Sequence, residues 1–309
     1  MTNARLDKAL PTPAYVSVII PVYNDAERLD LCLRALQGQS YPHNRFEILV
    51  VDNGSEHSPA QTVSKYQNVG LTSCSIPGSY SARNKGVRLA EGSILAFTDA
   101  DCIPDSRWIE CGVRALQSAA NMGLVGGHIQ FFFRGRKPRI AEIYDSITYL
   151  QQHDALHNCR FAATANMFTW KQVMDRVGSF DTSLKSGGDR EWGERTDAAG
   201  FSQLFAPDAI VLHPARSSFM EIHKRNLRIH GGHHQLHAQG QRRIHVTKLC
   251  NEILTDLAPP VRFALRTARD RRVQGLGTKI LVIGLHMLAK YDRAQARIRY
   301  QLGLKPTRS

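Results

Sequence analysis

The sequence predicts an α/β fold, a mostly parallel sheet flanked by helices and followed by a basic helical appendage. Three observations predict it. From Tyr15 to about Phe131 short apolar runs alternate with amphipathic segments, the pattern of strand-helix units whose sheet is covered on both faces. The chain has 309 residues, 42% of them hydrophobic, enough for a sizeable core. The formal charge of +13 belongs to the last third. Lys and Arg against Asp and Glu number 21 and 22 over residues 1–214, 7 and 3 over 215–260, and 12 and 2 over 261–309.

Strands are expected at 16–20, 46–51, 71–75, 94–97 and 124–131, each a short apolar run bounded by turn residues. Helices are expected between them at 26–37, 59–66, 81–90 and 105–119, where apolar residues recur at three or four residue steps. Beyond them 138–156 reads as a helix, 161–169 as a strand and 189–199 as a helix closed by Gly200. Pro259-Pro260 marks a break in the basic, histidine-rich helical segments that follow Ala215. The expected units are thus an extension over 1–15, a folded domain over 16–214 with halves 16–131 and 132–214, and a helical region over 215–309.

Six cysteines at 32, 74, 102, 111, 159 and 250 form no CxxC pair and read as small buried hydrophobes of a reducing compartment. Residues 1–15 lack the apolar core of a secretory signal. The longest apolar stretch, 280–289, contains His286 and is half of the roughly 20 residues that span a bilayer. A cytoplasmic protein is expected.

The most informative segment is Phe97-Thr98-Asp99-Ala100-Asp101, two carboxylates one residue apart at the end of an apolar run. In an open α/β sheet ligands bind at the carboxyl ends of strands. Paired oxygen ligands there suit Mg²⁺ or Mn²⁺ held together with substrate phosphates. Taken alone, Asp-x-Asp is also a common turn. The first strand ends in Pro21-Val22-Tyr23-Asn24 and the second in Asp52-Asn53-Gly54-Ser55, on the same sheet edge. An exposed Tyr stacks on a base, and an Asx pair hydrogen-bonds a base edge or a ribose. Ser81 to Gly86 opens a helix carrying Arg83 and Lys85, a place that attracts phosphate. Asp189 begins a helix after Gly187-Gly188, where a carboxylate serves as a general base or as an N-cap. Glu191 points elsewhere on that helix. His213 ends another apolar run. A lone His is more often structural, yet neutral imidazole binds divalent transition metals.

In this order and at this spacing the segments resemble family 2 glycosyltransferases over residues 16–213. The resemblance implies a GT-A fold and transfer of a sugar from a nucleotide-sugar, UDP-, GDP- or dTDP-linked, to an acceptor hydroxyl, with inversion at the anomeric carbon and assistance from Mn²⁺ or Mg²⁺. It implies that Pro21, Val22 and Tyr23 line the nucleoside pocket, that Asp52 and Asn53 hold the base, and that Arg83 sits near the base or diphosphate. Asp99 would bind the ribose or sugar and Asp101 the metal, with His213 a further metal or phosphate contact. Asp189 matches the catalytic base; Gly188, Glu191 and Trp192 are acceptor-side candidates. Residues 16–131 would then bind the nucleotide-sugar and 132–214 the acceptor. Two positions depart from the family pattern: Gly188 stands where many members have Glu, and Asn53 where many have a second Asp.

From residue 281 onward Leu285, Leu288, Tyr291, Ala294, Ile298 and Leu302 recur at three or four residue steps, while Lys290, Arg293 and Arg297 follow a separate line. Such a basic amphipathic helix suits an anionic membrane surface, with roughly 1 kcal/mol per basic residue. Alternatively it packs on the catalytic domain. A peripheral enzyme on the cytoplasmic face suits a lipid-linked or polysaccharide acceptor of cell-surface glycan synthesis. His223, His230, His233, His234, His237 and His245 fit no zinc spacing and suggest a solvated or acceptor-facing loop. Gln239-Gly240-Gln241-Arg242-Arg243 faintly resembles the motif of processive synthases but lacks its Trp, so one sugar per encounter is expected. No nucleic-acid partner is expected, because the basic region lacks interleaved aromatics. A nucleotidyltransferase would need a Gly-rich basic loop where Pro21-Val22-Tyr23 stands. A non-catalytic sugar-nucleotide-binding protein differs only in turnover.

Overall fold

The structure, a computed structural model, describes residues 13–239 and 246–301; for 233–239, 246–248 and 300–301 only the backbone is described. In chain order the first half comprises β1 (Val16–Val22), α1 (Ala26–Gln37), β2 (Phe46–Asp52), α2 (Ala60–Val63), β3 (Val69–Ser73), α3 (Ser79–Leu89), β4 (Ile94–Thr98), β5 (Ile103–Pro104), α4 (Trp108–Leu116) and β6 (Met122–Phe132). The second half comprises α5 (Ile140–Thr148), α6 (Gln152–Cys159), β7 (Asn166–Trp170), α7 (Lys171–Val177), α8 (Gly188–Ala198), β8 (Ser202–Pro214), α9 (Phe219–Gln239), α10 (Val246–Leu257), α11 (Val261–Arg269) and α12 (Leu276–Gln301).

Eight strands form one sheet in the order β3-β2-β1-β4-β7-β6-β8-β5. Pairing is parallel from β3 to β4 and between β6 and β8; β7 and β5 run antiparallel to their neighbours. Side chains alternate between the two faces of a strand, and this sheet has a core on each face. Val16, Val18 and Ile20 of β1 and Ile94 and Ala96 of β4 pack toward Leu29, Leu33 and Trp108 of α1 and α4. Ile19, Leu95 and Phe97 pack on the other side with Tyr80, Met167, Phe180 and Trp192. Burial on both faces explains why β1 and β4 read as near-continuous apolar runs, interrupted in β1 by the buried Ser17. The order brings the carboxyl ends of β2, β1 and β4 side by side.

The helix expected over 138–156 is interrupted. Leu150 adopts left-handed backbone, φ 49°, and Nε2 of the Gln151 side chain donates to the carbonyls of Ser146 at 3.0 Å and Tyr149 at 2.8 Å. These bonds satisfy the end of α5 and start α6 in a new direction. The strand expected from 161 begins only at Asn166, whose buried side chain donates to the carbonyls of His128 and Ala209 and accepts from Trp108 Nε1. Four of the six cysteines are buried as expected, but Cys159 is half-buried and Cys250 exposed.

The basic line expected on α12 is paired within the chain. Lys290 donates to the Ala258 carbonyl at 2.7 Å, and Arg293 and Arg297 each reach the buried Asp256 at 2.8 Å. Arg297 also pairs with Glu252. These cations pin α12 to α10, because a buried carboxylate draws whatever cations can reach it. Of the expected apolar line Leu285 and Ala294 are buried, whereas Leu288, Tyr291 and Ile298 are exposed. Leu302, His245 and residues 240–243 lie outside the described residues, as do the side chains of His233, His234 and His237. His223 pairs with Asp292 of α12 at 2.8 Å, so it serves helix packing. Among the described residues no helix is long and apolar enough to cross a membrane.

A third core joins α5 to the C-terminal helices through Ala141, Tyr144 and Ile147 against Ile222, Val282, Leu285 and Ala289. At its edge lies Asp145, without exposed surface. It pairs with Arg225 of α9 and accepts from the Arg216 amide at 3.0 Å. Arg225→Met leaves that carboxylate underpaired and is expected to cost about 3–5 kcal/mol of stability; a lowered urea midpoint measures it, and an unchanged midpoint refutes it.

Candidate active site

The loops after β1 and β2 are laced together. Asn24, in left-handed backbone at φ 50°, donates its amide to Ser55 Oγ at 2.8 Å, and its side-chain oxygen accepts from the Glu56 amide at 2.8 Å. This leaves Tyr23, 62% exposed, projecting from the sheet edge, with Pro21 half-buried beside it. Val22 is different. Its side chain lies in the core below, so only Pro21 and Tyr23 present side chains to a ligand.

Asp52 is almost buried and accepts from the Ser55 amide at 3.1 Å. Asn53 is spent on the fold: its amide donates to the carbonyls of Cys74 at 3.1 Å and Ile76 at 2.8 Å, and its oxygen accepts from the Gly78 amide at 2.7 Å. It therefore clamps the loop that leads into α3 and has no donor left for a base. The same geometry accounts for Asn here, since a carboxylate would face two carbonyl oxygens and offer them nothing.

Asp99, at the end of β4, pairs with Arg83 of α3. Arg83 is 4% exposed and its Nε has no partner among the described residues. Its guanidinium lies 5.8 Å from the centroid of the Tyr80 ring. Tyr80 in turn organises the start of α8. Its hydroxyl accepts from the amides of Gly188 at 2.9 Å and Asp189 at 3.3 Å, and donates to Asp189 Oδ1 at 3.2 Å. A Cβ on Gly188 would stand 2.8 Å from that ring. The absence of Glu at 188 thus follows from Tyr80 filling the space. Burial raises the Asp189 pKa, opposed by the charge of Arg83 and the hydrogen bond from Tyr80.

Asp101 and His213 meet at the ends of neighbouring segments, His213 Nε2 lying 4.0 Å from Asp101 Oδ1. His213 Nδ1 is 2.9 Å from the Pro214 carbonyl. In the tautomer that donates this bond, Nε2 carries a lone pair toward Asp101. Cys102 Sγ completes a cluster whose ligand atoms all lie within 4.8 Å of one another. Burial pushes its thiol well above the ordinary range, so it stays protonated and is a poor ligand for a hard cation. The carboxylate and imidazole therefore form the part of the cluster that fits Mn²⁺ or Mg²⁺. Arg28 of α1 adds positive charge 3.6 Å from Asp101.

Two acceptor-side candidates are engaged by the fold. Trp192 is fully buried and donates to the Gly178 carbonyl at 2.8 Å. Glu191 forms a bidentate pair with Arg195 at 2.5 and 2.9 Å. Both lie one turn from the start of α8, on faces that pack against α7 and the core. Tyr80, Arg28 and Tyr149, whose ring centroid lies 6.4 Å from that of His213, were not singled out by the sequence. A tyrosine beside the Ser81 to Gly86 segment was the only available signal.

The sequence pattern described as Glycosyl transferase family 2 matches residues 17–178, a span that includes Asp99 and Asp101 and ends before Asp189 and His213. Glycosyltransferase AglE of Haloferax volcanii is 41% identical over 230 residues, 73% of this chain and 75% of that protein. A Methanococcus voltae protein, dolichyl N-acetyl-alpha-D-glucosaminyl phosphate 3-beta-D-2,3-diacetamido-2,3-dideoxy-beta-D-glucuronosyltransferase, is 22% identical over 228 residues, 69% of this chain and 71% of its own. The mannosyltransferase PcManGT of Pyrobaculum calidifontis, solved with GDP-Man and Mn²⁺, superposes with a TM-score of 0.65 over 96% of this chain and 92% of that one, at 18% identity. The last likeness identifies a shared GT-A fold.

Tyr80→Phe is expected to keep the fold and to raise the Asp189 pKa further, because the lost hydrogen bond favours the carboxylate. Carboxyl titration by NMR reads the shift; an unchanged Asp189 pKa would show that Tyr80 does not tune it.

Proposed function

The chain belongs to glycosyl transferase family 2 and is a nucleotide-sugar-dependent glycosyltransferase, and we propose that it inverts the anomeric centre while passing the sugar to a hydroxyl of a lipid-linked acceptor. The observation that carries this reading is the Arg83 guanidinium, which pairs with Asp99 at the end of β4 and lies by the ring of Tyr80, whose hydroxyl donates to Asp189 at the start of α8. A donor-side and an acceptor-side carboxylate thereby flank one buried cation.

In this reading Tyr23 stacks on the base of the donor, Pro21 borders it, and Asp52 accepts from the base or ribose. Asp99, steered by Arg83, accepts from the ribose or sugar. Asp101 and His213 would hold the divalent ion, which would supply positive charge for the departing diphosphate. The mixed oxygen and nitrogen donor pair favours Mn²⁺ over Mg²⁺, which prefers oxygen throughout. Arg28, next to Asp101, adds a second positive charge on that side. Asp189 takes the proton of the attacking hydroxyl as its oxygen bonds to the anomeric carbon and the sugar-phosphate bond breaks. Burial that raises its pKa also makes it a better proton acceptor. The dolichyl-phosphate substrate in the name of the Methanococcus voltae relative supports a lipid-linked acceptor, and a peripheral position at the cytoplasmic face of the membrane follows from that acceptor.

Asp189→Asn is expected to lower kcat by about 100-fold or more while leaving donor binding intact, measured as nucleotide diphosphate release; wild-type turnover would remove Asp189 from the role of base. Because the Asp189 pKa is raised, its base form is lost as pH falls through a value above the ordinary ~3.9. The acid limb of kcat/KM should therefore lie above that value, and a limb at or below it contradicts the assignment. Asp101→Ala should abolish the thermal stabilisation that Mn²⁺ adds to a bound nucleoside diphosphate, with a survey of UDP, GDP and dTDP identifying the donor; retained Mn²⁺-dependent stabilisation would place the ion elsewhere.

A further inference from the structure

We propose that α11 and the cleft beside it form a docking site for the headgroups of anionic phospholipids, by which the chain lies on a bilayer surface. The outer side of α11 carries two adjoining stripes. Val261 and Leu265, four residues apart, are 61% and 57% exposed. Arg262, Arg266 and Arg269, at steps of four and three, run beside them and are exposed too. Residues at these steps share a line on a helix surface. The helix cannot roll to hide either stripe, because Phe263 is stacked on His286 with centroids 3.8 Å apart and Thr267 is buried.

The arginine stripe borders a cleft of about 590 Å³ between α11 and the junction of α5 and α6, where Arg272 joins it. Four guanidinium groups there face two carboxylates, Asp154 and Asp270. Arg272 is committed to Asp270 at 2.7 Å, and Arg266 donates to the Ile147 carbonyl at 3.2 Å. Arg262 and Arg269 have no ion pair among the described residues. Two open guanidinium forks in one cleft suit phosphate oxygens. Leu265 lines the same cleft, and with Val261 it supplies the apolar face that dips below the headgroups while the arginines stay at the phosphates.

The charge of residues 261–309 thus has an outlet different from the Lys290, Arg293 and Arg297 line, which is paired internally. Gln151 also lines the cleft. It is two residues, at most ~7 Å of chain, from Tyr149, which packs against His213. Docking here brings the lipid phosphate plane beside the site described above. The biological purpose of the surface rests on the proposed lipid-linked acceptor; the docking itself is tested without it.

The full chain is mixed at low salt with vesicles of phosphatidylcholine alone and of phosphatidylcholine with phosphatidylglycerol, and bound protein is measured by co-sedimentation. Binding is expected to the anionic vesicles only. The double variant Arg262→Gln, Arg269→Gln should weaken it roughly 30-fold, from about 1 kcal/mol per basic residue, and Val261→Ser, Leu265→Ser should weaken it about 10-fold or more. Arg34→Gln, Arg114→Gln, on exposed helices far along the chain, should leave it unchanged. The proposal is overturned if the wild-type protein ignores anionic vesicles, if both α11 variants bind as the wild type does, or if inorganic phosphate stabilises the wild type through Arg262 and Arg269 without vesicle binding. Nucleotide release from a nucleotide-sugar, measured without vesicles, should be the same in both α11 variants as in the wild type. Vesicle binding that behaves as expected in a protein without such turnover would refute the transfer reading and leave the docking site standing.

Discussion

The carboxylate of Asp145 is the constraint from which the arrangement of the second half follows. A charge with no exposed surface is tolerable only when its partners are held in place. Here they are Arg225 from α9 and Arg216 from the segment after β8. Both guanidinium groups also lie over the Tyr149 ring, at 4.3 and 4.8 Å from its centroid. Tyr149 in turn packs on His213, which faces Asp101. A single buried ion pair therefore links the C-terminal helices to the edge of the sheet that carries Asp101 and His213. Moving α9 would uncover the charge of Asp145, which has no exposed surface.

The edge that carries Asp99 and Asp189 has a corresponding hub in Tyr80. Its hydroxyl satisfies two amides at the open end of α8 and steadies Asp189, while its ring lies near Arg83. The departure at Gly188 is compensation for that ring. The departure at Asn53 has an equally local cause, because only a carboxamide can donate to the carbonyls of Cys74 and Ile76 while accepting from the amide of Gly78. Neither substitution removes a carboxylate that the remaining geometry could have accommodated. Both tighten the frame around the strand ends that carry Asp99, Asp101, Asp189 and His213 in the proposed site.

Much of the fold was legible because the forces that produce it are periodic and local. β1, β2 and β4 were recognisable as buried strands from mostly apolar runs, each one or two residues longer in the structure, and α1 from its three and four residue spacing, with the same bounds in the structure. The break between α5 and α6 was not legible. It depends on a left-handed Leu150 and on Gln151 capping the carbonyls of Ser146 and Tyr149, choices that leave no mark on hydrophobic periodicity. The basic line of α12 was legible as a line but its partners were not, because periodicity groups residues on a face without saying what covers it. Asp256 and Glu252, more than thirty residues away, cover it.

By itself the sequence determined which strand ends carry carboxylates, the family to which those motifs belong, and the residue types that set the chemistry of the site. These are properties of short segments, and each segment keeps its meaning wherever the chain goes. Only the tertiary structure decided which neighbours of those residues are free. Val22 and Trp192 went to the cores, Glu191 to Arg195, and Asn53 to the loop before α3. It likewise brought Arg28 to Asp101, Tyr80 to Asp189 and Arg216 to Asp145. A side chain's availability depends on what packs against it from distant parts of the chain, and that information arises only when the sheet and helices close on one another.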